Sequence, residues 1–144
     1  MRTTYVLTKN HHALQFLIYK QSTYMTTIYK EHPTLKTVEI IVDGKVTADE
    51  FHSIMPQMEI FIEKHGKIKI LEIVKNFGGM SLSVMFEGIK FDFKHIKDFS
   101  HCAVVTDEGW IGPFTRIFTP FVDVEVKTFK ISEEKNARQW LKDA

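Results

Sequence analysis

A single cysteine, Cys102, excludes an internal disulfide framework in this 144-residue chain. It sits in the apolar run "HCAVV" and reads as a small buried strand residue, which places the protein in a reducing compartment, the cytoplasm. A reactive thiol is the sharper alternative, disfavoured because no helix start or basic neighbour is placed to lower its pKa. Charge of one sign is also lacking. Nineteen Lys and Arg face eighteen Asp and Glu, too even a balance to steer the chain onto nucleic acid. No apolar run approaches the length of a membrane span, and "ALQFLIY" near the N-terminus is too short and too polar-flanked for a signal peptide core. Catalytic signatures are missing as well: there is no nucleophile elbow, P-loop or dinucleotide fingerprint, and the seven histidines show no zinc-ligand spacing within one element. These absences leave a non-catalytic reading, with no metal and no cofactor.

What remains is an alternation of strand and helix patterns from Thr26 onward, the signature of an α/β sheet with crossover helices. "TTIYKEH" and "LKTVEIIVDG" read as two strands close enough in sequence to pair as an antiparallel hairpin. "TADEFHSIMPQMEIFIEKHG" reads as a helix opened by a capping box, Thr47 with Glu50, closed by Gly66 and kinked at Pro56. Phe51, Ile54, Met55, Met58, Phe61 and Ile62 keep helical spacing for its buried face. "KIKILEIV" is then a strand, "KNFGGMS" a loop, "LSVMFEGIKFDFKHIKDF" a long helix and "HCAVVT" a buried strand. "DEGWIGPFTRIFTPF" supplies a third helix, "VDVEVKTFK" the last strand, and "SEEKNARQWLKD" a final helix capped by Ser132. The expectation is one mixed, mostly parallel five-stranded sheet flanked by four helices, in the order β-β-α-β-α-β-α-β-α with the first strand antiparallel. Residues 1–24 fall outside this rhythm and read as an extension, a poorly ordered tail or a start-site artefact; residues 25–144 form the domain.

"GKVTADEF", the Pro56-containing helix closed by "KHGKIKIL", the junction "KHIKDFSHCAVV" and the later "FTPF" resemble the SpoIIAA-like family of the STAS superfamily, over roughly residues 25 to 141. The resemblance implies a small mixed sheet flanked by helices, related to sporulation anti-sigma antagonists and similar to the lipid-carrying CRAL-TRIO fold. In those antagonists the strand-to-helix junction carries an Asp-Ser-Ser-Gly motif whose serine is phosphorylated. Here the junction reads "NFGGMSLS", so only Ser81 and Ser83 are near, and Ser81 is a switch candidate against the simpler role of helix cap.

Two further surfaces carry expectations. The helix beginning at Leu82 has an apolar face of Leu82, Met85, Phe86, Ile89, Phe93 and Ile96, expected to be core, with Val84 and Phe91 pointing away. Lys90, Lys94 and Lys97 form a basic edge which, with an outward Phe91, is the candidate membrane or interface contact. In the 107–121 stretch, Trp110, Ile111, Phe114, Ile117, Phe118 and Phe121 fall within an arc of about 120°. Because its turn and "NFGGMS" open at one edge of the sheet, a pocket there is expected to be lined by Met80, Met85, Trp110, Phe114 and Phe118. The leading expectation is thus a module for an apolar small molecule or lipid, with peripheral membrane contact and the 107–121 helix as lid. The alternative is an anti-sigma-antagonist-type regulator switched at Ser81, and a homodimer on the same apolar surface is compatible with either.

Overall fold

The computed structural model describes residues 25–111 and 123–144. The first two strands, β1 (Thr27–His32) and β2 (Thr37–Val46), pair antiparallel from Thr27↔Val42 to His32↔Thr37. A single turn of tight helix at Pro33–Leu35 joins them, and Lys36 closes it with a left-handed φ of 48° and an N–H bond to the Pro33 carbonyl at 3.1 Å. Helix α1 (Ala48–His65) starts as its sequence dictates: Glu50 N–H donates to Thr47 Oγ1, and Thr47 N–H donates back to Glu50 Oε2, both at 3.2 Å. The same Glu50 carboxylate accepts from Thr26 N–H at 2.6 Å and from the Thr27 hydroxyl at 3.2 Å, clamping the start of β1 to the start of α1. Burial would raise the pKa of this carboxyl, but the bonds from Thr47, Thr26 and Thr27 outweigh it and hold the group below its usual range. Pro56 lies inside α1 without ending it, and Ile54, Met58, Phe61 and Ile62 are buried beneath the helix.

Strand β3 (Ile68–Met80) is thirteen residues long and absorbs the expected "KNFGGMS" loop. Beyond Val74 it still pairs with β2, at Asn76↔Asp43, Phe77↔Gly44 and Val46↔Met80, across two shifts of register. Glycine explains both the extension and the misreading. A Cβ on Gly78 would lie 2.8 Å from the Lys45 backbone nitrogen and 2.9 Å from the Gly44 carbonyl carbon, so only glycine permits this approach. Glycine pairs mark turns, but within a strand they also mark bulges.

Helix α2 (Leu82–His95) ends earlier than its pattern suggests, and a tight turn at Ile96–Asp98 leads into β4 (Phe99–Thr106). It is also rotated relative to expectation, with Met85 and Ile89 half-buried and only Ile96, just past its end, packed on the core from the expected set. Val84 and His95 are buried, Phe91 packs on the core, and Gly88 faces Phe51 of α1 closely enough that an added Cβ would be 3.6 Å from its ring. Leu82, Phe86 and Phe93 are instead 70%, 58% and 65% exposed. The inward line 84–88–91–95 is narrow, and its polar member is satisfied: His95 meets Asp98 at 3.0 Å and Glu59 at 3.3 Å. His52–Glu87 at 2.6 Å and a Lys94–Glu59 ion pair add further polar links between α1 and α2. Close approach at a glycine and these links outweigh the greater apolar area of the opposite face.

The last strand, β5 (Glu125–Phe129), leads through a turn at Ile131–Glu133 into α3 (Glu134–Asp143). Ser132 does not cap α3. The residue at the helix boundary is Glu133, whose carboxylate accepts from Lys130 N–H at 2.9 Å, while Asp107 accepts from Ile131 N–H at 3.1 Å. The expected 107–121 helix falls, from Gly112 on, outside the described residues. Three α-helices therefore accompany the five strands in the described residues.

The sheet order is β1-β2-β3-β4-β5, with β1 antiparallel and the other neighbours parallel. Because the order never reverses after β2, right-handed crossovers send α1 and α2 to one face. Their face holds two clusters, one of Val38, Met58, Phe61, Ile68 and Phe99, the other of Val42, Val74 and Val84. On the opposite face α3 stands over Leu71, Ile73, Ala103 and Val105, sealed by its own Ala137 and Leu141.

Candidate functional site

The carboxyl end of β3 delivers Met80 and Ser81 to the surface, where the backbone changes from strand to helix. Ser81 is exposed and its Oγ accepts from Val84 N–H at 3.2 Å, the bond of a helix N-cap. Met80 is 38% exposed, Leu82 follows at 70%, and Met85 is half-buried on the next turn. At the same edge, Glu108 links the neighbouring segment to β3: its carboxylate accepts from Phe77 N–H at 3.3 Å, and its own N–H donates to the Thr106 hydroxyl at 3.0 Å. Trp110, 50% exposed, lies with its ring centroid 5.3 Å from that of Phe77. Of the residues expected to line an apolar pocket, Met80, Met85 and Trp110 are thus placed at or near one end of the sheet, and Phe114 and Phe118 lie outside the described residues.

The basic edge of α2 is only partly as expected. Lys90, Lys94 and Lys97 are all exposed, but Lys94 is engaged by Glu59, and Lys90 helps to hold the Glu87 carboxyl below its usual range, a smaller influence than the bonds from His52 and Ser83. Phe91 corrects the sequence reading outright. It is half-buried and turns inward against the Val38–Phe61–Ile68 cluster, with its ring 4.5 Å from that of His95, so it is not the outward residue of the helix. The outward aromatic residues of α2 are Phe86 and Phe93.

A second feature was missed in the sequence. Glu72, midway along β3, pairs with Ile40 on one side and Val104 on the other and shares the α1/α2 face with Ile70 and Val74. Its carboxylate has no hydrogen bond or ion pair among the described residues. Burial pushes its pKa up. Asp92 of α2 is exposed, yet the protein around its carboxyl, with the charge of Glu72, pushes it up to about 7 against the opposing pull of His95. The same surroundings raise the Cys102 thiol well above its usual value, through burial first and the two carboxylates second, so it is no ready nucleophile. The available sequence signal was a carboxylate at an apolar position of the period-two pattern in "KIKILEIV".

Among the described residues no group of three or more His, Cys, Asp or Glu is arranged to hold a metal ion, and no helix is long and apolar enough to cross a membrane. The SpoIIAA-like family model matches residues 37–142. The chain belongs to the SpoIIAA-like family. The SpoIIAA-like architecture recurs in the crystal structure of an uncharacterised protein of the DUF3478 family from Shewanella loihica, described as having a SpoIIAA-like fold. It is similar at 22% identity and a TM-score of 0.63, over 80% of this chain and 91% of that one. No curated protein matches this SpoIIAA-like chain.

Proposed function

We propose that this SpoIIAA-like chain is a non-catalytic regulator that works by docking another protein on the start and outer face of α2. The observation that carries this reading is the apolar face left in solvent, Leu82, Phe86 and Phe93, running directly from the exposed N-cap Ser81. Exposed apolar surface rimmed by polar groups is the ordinary mark of an interaction site. The resemblance to anti-sigma antagonists supports a protein as partner, and Ser81 occupies the strand-to-helix junction where those proteins carry their switch. A phosphate at Ser81 would sit at a helix N-terminus, where its charge is stabilised, while adding bulk and charge beside the apolar face.

The test uses a photo-crosslinking residue in place of Phe86, expressed in the source cells, with Ser81→Asp as the second arm. One dominant protein adduct, lost with Ser81→Asp, is the expected result. Aspartate is itself a good N-cap, so the fold should be kept. Self-adducts alone would transfer the face to a homodimer, and an absence of protein adducts would overturn the reading.

A second reading is favoured by the half-exposed Trp110 against Phe77, beside the exposed Met80. It is an apolar small molecule or lipid held by Met80, Met85, Trp110, Phe114 and Phe118, with Lys90 and Lys97 as the anionic-surface contact. Native mass spectrometry of freshly purified protein separates the two: co-purified apolar mass favours this one, and its absence leaves protein docking.

A further inference from the structure

The face of the sheet opposite α1 and α2 is covered, among the described residues, by α3 alone. Ten residues of helix are too few to roof five strands, and α3 stands over β3, β4 and β5. Toward β1 and β2 a recess of about 260 Å³ remains between α3 and the turn that joins those strands. This is slightly below the usual range for sites of drug-sized ligands.

The walls differ sharply in chemistry. Leu71 and Leu141, both nearly fully buried, and Leu35, 39% exposed, supply apolar surface. Lys135, Arg138 and Lys142, at positions i, i+3 and i+7 of α3, present one basic line along the helix. Among the described residues no acidic side chain lines the recess. The neighbouring acids are already committed: Glu39, only 2% exposed, accepts from Arg138 Nη1 and Nη2 at 2.9 Å each and meets His32 Nε2 at 2.8 Å, while Glu134 accepts from Arg138 Nε at 2.9 Å.

These bonds fix the guanidinium as a rigid part of the wall and occupy most of its donors. Lys135 and Lys142 are in the opposite condition. Both are exposed and neither has a hydrogen bond or ion pair among the described residues. Lys69 also steadies the far end of α3, donating to the backbone oxygens of Leu141 at 2.6 Å and Ala144 at 3.0 Å. Two free ammonium groups thus flank a preformed, partly apolar recess whose own acids are neutralised from behind.

We propose that this recess binds a small organic anion, with a single phosphate or carboxylate head held by Lys135 and Lys142 and a short apolar body against Leu35, Leu71 and Leu141. The site is on the other side of the sheet from Ser81 and α2, so it stands or falls independently of the docking surface. The apolar wall selects against bare inorganic ions, and the lysines select against neutral molecules of the same shape.

Titrating the full chain with phenyl phosphate, benzoate, inorganic phosphate and benzyl alcohol, followed by amide chemical shifts at one fixed ionic strength, tests this. Phenyl phosphate or benzoate should saturate with shifts confined to residues 32–37 and 135–142, at least tenfold more tightly than inorganic phosphate or benzyl alcohol. Joint replacement Lys135→Gln with Lys142→Gln should weaken that binding at least tenfold without moving Tm. Leu35→Asp should abolish it, while Leu35→Met retains it. Equal binding of inorganic phosphate, equal binding of benzyl alcohol, an unaffected double variant or an absence of saturation would each overturn the proposal.

Discussion

Two carboxylates sit near the middle of the same sheet and meet opposite fates. Glu39 on β2 faces α3, where the Arg138 guanidinium, with His32 and Lys30 adding to it, overcomes the cost of burial and holds its pKa at about 2. Glu72 on β3 faces α1 and α2, finds no partner among the described residues, and is pushed upward by burial. Strand position and residue type are nearly the same, so the difference lies in what the covering layer supplies. On the α3 side Glu39 finds its partners within the chain. On the other side Glu72 finds no such partner among the described residues, and that is also the side on which α2 leaves Leu82, Phe86 and Phe93 in solvent.

The largest effect expected from this contrast is at Arg138. Replacing it with Met leaves the Glu39 charge to His32 and Lys30 alone and should cost about 1–3 kcal/mol in urea unfolding at pH 7, whereas Glu39→Met with Arg138→Met should recover most of it. A single-variant cost below about 1 kcal/mol would break the comparison. At Glu72 the sign reverses. Glu72→Leu should stabilise the protein by ~1–3 kcal/mol above pH 7, because it removes a crowded, unpartnered carboxylate. A loss of stability would reveal a native partner for that group.

The depressed and the raised carboxyls predict opposite slopes with pH. The depressed Glu39 contributes stability that is present above its unfolded pKa and lost as pH falls toward about 2. A raised group such as Asp92 binds more protons folded than unfolded, so stability falls as pH rises from the ordinary carboxylate range through about 7. Asp92→Asn should flatten that upper slope and leave the acid limb unchanged, as read from unfolding free energies at a series of pH values.

Smaller effects mark the α2 side. Ser81→Ala should cost about 1 kcal/mol through the lost cap and Ser81→Asp nearly nothing. Phe86→Ser, on the exposed face, should change stability by no more than about 0.5 kcal/mol. A cost of several kcal/mol at Phe86 would instead mean that this face is covered in the folded chain.

Local signals in the sequence were read well. Thr47 and Glu50 announce the start of α1 because both halves of a capping box lie within one turn, and the antiparallel β1–β2 pair follows from the short link through Pro33. Failures came where two distant segments decide together. Gly78 reads as a loop until β2 is known to lie against it. The apolar stripe of α2 reads as core until Gly88, Phe51 and the His95 contacts with Glu59 and Asp98 show which side approaches α1. For the candidate site, Ser81 was legible as a cap, whereas Phe91 was assigned to the wrong side for the same reason as its helix. Glu72 was passed over because a strand pattern is scored by its apolar residues, and Arg138 because its partner Glu39 is 99 residues away.

The margins of the sheet bear on how copies of this chain behave when crowded. β5 is five residues long with Glu125 and Lys127 exposed, and Lys127 is drawn over the Trp140 ring at 5.2 Å. On the other margin, β1 is six residues long and interrupted by the exposed Lys30 and Glu31. Short, charged margins make poor templates for an incoming strand. In concentrated solution the chain should therefore resist fibre growth, and any precipitate should lack cross-β order and disperse when Phe86 and Phe93 are made polar.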